Sequence, residues 1–132
     1  MVWVTLGIII LVSLFTIFGA WYARKYQKPD AIIALYVIFI ALSQILAAKI
    51  AVFDLGFTQV TAPAAVLIFA VTFLITDIVN EKFGRKETHR MIFIAFITQV
   101  VMVAFIYIGT YLQPAPFWQN QQAWEMIFGL VP

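Results

Sequence analysis

Long apolar runs separated by short polar ones set the pattern of this chain. Residues 2–23 carry no charge and end in Trp21-Tyr22, with Arg24 and Lys25 directly after. A helix needs roughly 20 apolar residues to cross a bilayer, and an aromatic pair followed by cations is its usual flank. A second run, 31–53, contains Ser43, Gln44 and Lys49. A third, 61–83, stays apolar until Asp77, and a fourth, 91–112, holds Thr98 and Gln99 as its strongly polar pair. Residues 113–122 (QPAPFWQNQQ) have two prolines and no charge, and read as an interfacial loop. Residues 124–132 turn apolar again but fall well short of a crossing length. The pattern predicts an all-α fold: one polytopic transmembrane helical bundle with four complete spans and the start of a fifth. An unfinished fifth helix leads to the expectation that the chain is incomplete.

The turns follow from local chemistry. Pro29-Asp30 is a helix-start signal. Asp54–Val60 reads as a short loop turning at Gly56, with Pro63 tolerated in the first turn of the third helix. Ala47, Ala48 and Ala51 are small enough for close helix packing. Phe83-Gly84 reads as a helix end, with Arg85 and Lys86 placed where the C-terminal end of a helix dipole favours cations. Arg24, Lys25 and Lys28 precede the second run, and Lys82, Arg85, Lys86 and Arg90 precede the fourth. The positive-inside rule then puts the 24–30 and 80–90 loops in the cytoplasm and the N-terminus outside, in a multi-pass protein of the cell (inner) membrane. The first run lacks a basic lead, which favours a retained helix over a cleaved signal.

Composition narrows the function classes. Of 132 residues, 64% are hydrophobic and 11% charged, against about 45–50% apolar and about 25% charged in soluble domains. The net charge of +2 comes from cations in short loops, so topology explains it and nucleic acid is not an expected partner. Absence of cysteine removes thiolate metal sites and cysteine nucleophiles. His89 has no second His or Cys to complete a metal site. There is no Gly-rich phosphate loop, nucleophile elbow or Ser/His/Asp set. No enzyme, metal or cofactor is expected.

The candidate binding residues are the polar groups lying in or beside apolar runs. Asp77 and Glu81 are four apart on a helix, with Asn80 on the same side. A carboxylate at the edge of a hydrocarbon span is costly, and it normally faces protein or a wet cavity. Asp77 lies one turn deeper than Glu81, whose ordinary role is a solvated or paired group beside Lys82, Arg85 or Lys86. Lys49 either snorkels to the outer interface beside Asp54 or turns inward to a ligand. Ser43, Gln44, Thr98 and Gln99 can hydrogen-bond to other helices, and the two amides can also read donors and acceptors on a planar ligand. Phe39, Phe69, Phe73, Phe93, Phe96, Phe105 and Tyr107 lie at helical spacings suited to lipid or packing, and one or two could stack on such a ligand.

The run from Thr72 to Arg90, TFLITDIVNEKFGRKETHR, resembles the signature of the queuosine precursor transporter (VUT) family. Its shared elements are Phe73-Leu74, Thr76-Asp77, Glu81, Phe83-Gly84 and Arg90. Ala47-Ala48-Lys49 resembles the family's preceding helix, and Phe128-Gly129 to Pro132 the start of its next one. Ala70 stands where many relatives have proline, and Thr88-His89 replace a small residue and an arginine. The resemblance covers 42–132 and leaves out 1–30. It implies import of a queuosine or archaeosine precursor, 7-cyano-7-deazaguanine or 7-aminomethyl-7-deazaguanine, used in tRNA modification. On that reading Asp77, Glu81, Asn80, Gln44, Gln99 and Lys49 are the substrate-binding candidates. The expected partners are the lipid bilayer and the purine-like substrate, with a second copy or a missing C-terminal half completing the carrier. The alternatives are a non-transporting structural membrane subunit and the substrate-binding component of a larger energised importer.

Overall fold

The computed structural model describes residues 2–129 as five helices and one β-hairpin. In chain order these are α1 (Val2–Tyr26), α2 (Asp30–Leu46), β1 (Ile50–Asp54), β2 (Gln59–Pro63), α3 (Val66–Phe83), α4 (Arg85–Tyr111) and α5 (Gln121–Phe128). Helix α2 is central and packs against α1, α3 and α4. The core lies where α2, α3 and α4 meet, with Ile32, Ile75, Val79 and Met91 fully enclosed and Ile33 and Phe39 beside them. Lipid tails are as apolar as these side chains, so van der Waals fit rather than release of water holds such a bundle together. Helices α1 and α2 approach tightly at Gly19 of α1. A Cβ built there would lie 2.8 Å from Leu35 Cδ1 and 3.5 Å from Ile32 Cγ1. Gly19 is thus a close-packing position, whereas the alanines at 47, 48 and 51 lie beyond α2, in the turn and in β1.

Two of the four expected spans, α1 and α4, are long and apolar enough to cross a membrane. Helix α2 is apolar but has only 17 residues, about 26 Å at 1.5 Å per residue. Helix α3 has 18 residues, with Asp77, Glu81 and Lys82 in its last two turns. The apolar runs predict a second span ending at 53 and a third starting at 61, but the chain leaves helix after Leu46 and regains it at Val66. Between them β1 and β2 pair antiparallel, with Ile50 opposite Pro63 and Asp54 opposite Gln59. Hydropathy does not separate a short apolar strand from a helix segment, whereas the Ile, Val, Phe and Thr of these segments favour a pleated chain. Gly56 makes the expected turn at φ +89°, and Asp54 Oδ1 accepts its N–H at 2.9 Å. Pro63 closes a strand instead of opening a helix.

The expected 80–90 loop is a further difference. Only Gly84 separates α3 from α4, so α4 begins at Arg85 and not at Met91. Arg85 and Lys86 therefore sit at a helix N-terminus, where the dipole opposes cations. Glu87 in that first turn offsets them and pairs with Arg90 at 2.8 Å. Glu81 and Arg85 lie on different helices, and among the described residues Glu81 forms no ion pair with Lys82, Arg85 or Lys86.

The corner itself depends on Gly84, whose φ of 89° and ψ of 174° lie in a region essentially reserved for glycine. A Cβ there would meet nothing within 4 Å, so the cost of a substitution is backbone strain alone. Gly84→Ala is expected to destabilise the bundle by about 1–3 kcal/mol, read as a lower unfolding temperature in detergent. An unchanged temperature would mean that the corner is adjustable.

At the other polar connection, α2 begins at the Pro29-Asp30 signal, with the Ala31 N–H donating to Asp30 Oδ1 at 2.9 Å. Beyond α4, residues 113–120 form an irregular link to α5, which folds back on the end of α4. The Trp124 Nε1–H donates to Thr110 Oγ1 at 3.0 Å. The expected partial helix over 124–132 is met by α5 as far as Phe128, and its last three residues lie outside the described residues.

Candidate binding cleft between the second and fourth helices

The four neutral polar candidates, Ser43 and Gln44 in the last turn of α2 and Thr98 and Gln99 midway along α4, are of two kinds. Ser43 donates to Phe39 O at 2.7 Å and Thr98 to Ala95 O at 2.8 Å, each closing on its own helix. This back-bonding satisfies a hydroxyl without any partner helix. The amides behave differently. Gln99 Nε2 reaches across to Val37 O on α2 at 3.5 Å, a long contact, and Gln99 Oε1 is buried with no hydrogen-bond partner. Gln44 makes no side-chain hydrogen bond among the described residues, although it is half-buried.

Both amides open into one cleft of about 610 Å³ between α2 and α4. Gln44 contributes from α2; Phe96, Gln99, Val100, Val103, Ala104 and Tyr107 contribute from α4. The α4 residues recur at intervals of three and four, the spacing of one helix face. Small-molecule sites are typically clefts of about 300–1,000 Å³, mostly apolar, with a few polar groups that fix orientation. The lining fits that description, with two aromatic rings for stacking and two amides for hydrogen bonds. Gln99 lines the cleft while its Oε1 is buried without a hydrogen-bond partner among the described residues, a placement that costs about 1–3 kcal/mol for a carbonyl oxygen. Gln44 also lines a second, almost wholly apolar cavity of about 380 Å³ on its other flank, beside Ile40, Pro63 and Phe69.

The remaining sequence candidates are not gathered at the cleft. Asp77, Asn80 and Glu81 are exposed on the outer side of α3, below Phe73 and Leu74. Asn80 has a local structural role, since its Oδ1 accepts from Thr88 Oγ1 at 3.5 Å across the Gly84 corner and its backbone oxygen accepts the Gly84 N–H at 3.1 Å. Lys49 is exposed and stands off the helix, in the turn before β1. It forms no ion pair with Asp54; among the described residues the ion pair is Arg90–Glu87. Of the aromatics, Phe96 and Tyr107 line the cleft. Neither had a specific signal in the sequence beyond the α4 stripe 96-99-100-103-104-107, which includes Gln99.

No group of three or more His, Cys, Asp or Glu able to hold a metal occurs among the described residues. No curated protein and no solved structure matches the chain. A family model described as "Putative vitamin uptake transporter" matches residues 63–132, from the end of the hairpin through α3, α4 and α5. That match spans just over half of the chain and includes the whole 72–90 signature and the α4 wall of the cleft. With two helices of crossing length, α1 before the matched region and α4 within it, the chain is a membrane protein, and it belongs to the vitamin uptake transporter family.

Proposed function

We propose that this chain is an uptake carrier for a 7-deazaguanine queuosine or archaeosine precursor. The observation that carries the reading is the convergence of Gln44 and Gln99 on one apolar cleft, with Gln99 Oε1 left without a partner. A 7-deazaguanine is flat and presents N–H donors beside a carbonyl on one edge. Gln99 Oε1 would accept from such a donor, and the Gln44 amide would supply the complementary pair, since an amide both donates and accepts. Phe96 and Tyr107 would stack on the ring faces. The resemblance of 72–90 to the queuosine precursor carriers supports this substrate class over other uptake substrates.

Asp77 has a separate role in this reading. It lies on α3, outside the cleft, after an apolar run, and a carboxylate there can take up and release a proton or accept from a basic partner. Glu81 would assist at the cytoplasmic mouth, and Asn80 would hold the α3–α4 corner. We assign Lys49 to the opposite interface. The basic ends of α1 and α3 and the start of α4 would face the cytoplasm, with the hairpin outside. A second copy or further helices would cover the outer side of α3.

Ligand binding can be read apart from transport. A ligand that binds only the folded protein stabilises it by RT ln(1 + [L]/Kd). Purified chain in detergent is expected to unfold at a higher temperature with 7-cyano-7-deazaguanine, in a dose-dependent way, and Gln99→Leu to lose the shift. No shift up to millimolar ligand would contradict the assignment.

A further inference from the structure

We propose that the β1–β2 hairpin is a lipid-interface anchor, lying flat in the headgroup layer on the side of the membrane where α1 begins. Its position comes from two contacts. Gly19 of α1 is level with Ile32 and Leu35 of the antiparallel α2, which brings Thr5 level with the end of α2. Asp54 lies eight residues past the last residue of α2, yet its N–H still donates to Thr5 Oγ1 at 3.2 Å. A strand continuing along the helix axis would have climbed more than about 20 Å beyond that level. The hairpin therefore lies across the end of the bundle.

Its chemistry fits one environment. Phe53 is the strand side chain buried against the protein. Ile50, Val52 and Val60 are exposed, and the turn presents Leu55 and Phe57, the latter 88% exposed. Water is a poor surrounding for that many apolar side chains on a two-stranded ribbon. Hydrocarbon is no better, because a two-stranded sheet has two open edges whose N–H and C=O groups need hydrogen-bond partners. The interface supplies acyl chains for the side chains and water for the edges. The hairpin is also continuous with a surface already facing lipid, since α1 next to Thr5 exposes Leu6, Ile9 and Ile10. Lys49, exposed at the foot of β1, stands where an ammonium group can meet lipid phosphate. The proposal is independent of the substrate reading.

The chain has no cysteine, so Phe57→Cys creates a single labelling site. The labelled full chain in vesicles of phosphatidylethanolamine and phosphatidylglycerol carries an environment-sensitive fluorophore at 57, with Lys28→Cys and Val101→Cys as aqueous and mid-span references. The label at 57 is expected to be quenched most by lipids bearing a nitroxide near the headgroup, and much less by aqueous iodide than the label at 28. Three results would overturn the anchor. Iodide quenching equal to that at 28 means a water-exposed loop. Strongest quenching by nitroxides near the chain ends, as at 101, means burial in hydrocarbon. Protection from every quencher means that protein covers the hairpin. Circular dichroism equal to that of the unsubstituted chain would show that the substitution leaves the fold intact.

Discussion

Gln99→Leu is expected to lower initial uptake of 7-cyano-7-deazaguanine by about 5- to 150-fold at substrate levels below saturation. Leucine keeps much of the volume of glutamine but removes the one side-chain acceptor that is both buried and unpartnered among the described residues. Stranding one ligand donor corresponds to about 1–3 kcal/mol, and each 1.4 kcal/mol is tenfold in affinity. The fold should tolerate the change, because the bond given up, Gln99 Nε2 to Val37 O, is long at 3.5 Å. Removing an orphaned polar atom can even raise the unfolding temperature. The readout is the initial rate divided by the amount of chain in the membrane fraction. Uptake within a factor of two of the unsubstituted chain would take Gln99 out of the binding site.

Asp77→Asn is expected to abolish uptake, a loss of at least about tenfold or 1.4 kcal/mol, with insertion intact. A carboxylate at the centre of a spanning helix is disfavoured by about 2.5–3.5 kcal/mol on insertion scales, and by less at Asp77 in the last two turns of α3, so asparagine should insert at least as well. It keeps the shape and the acceptor oxygen but can hold neither the charge nor a titrating proton. The measurement is uptake at two external pH values together with membrane-fraction abundance. Normal uptake at both would remove Asp77 from the mechanism. Full insertion with loss of assembly on native gels would instead favour a helix-pairing role for the carboxylate.

The contrast between these two residues shows what the linear chain could reveal. Both are polar groups attached to apolar runs, and hydropathy plus the cost of burying polarity singled out both. The helical class was legible for the same reason, since α1 and α4 are long runs whose ends carry aromatics or charge. Arrangement was not legible. That Ser43 and Thr98 satisfy themselves while Gln44 and Gln99 remain open depends on rotamers and on which face of α2 meets α4. Asp77 and Gln99 could not be placed on different surfaces from spacing within separate helices. The hairpin was hidden because apolarity was read as helix, although Val52, Phe53, Val60 and Thr61 are β-favouring residues on either side of a Gly56 turn. The Gly84 corner was legible as a helix end but not as an immediate restart, because the polar 85–90 segment looks like a loop by hydropathy and becomes helical as the first turns of α4.

The most direct test of the carrier account is uptake of labelled 7-cyano-7-deazaguanine by cells that lack their own carrier and express this chain. The account predicts saturable uptake, competed by the aminomethyl relative, and lost in both Gln99→Leu and Asp77→Asn while each variant stays in the membrane. Uptake no greater than in cells without the chain, with insertion verified, would contradict it.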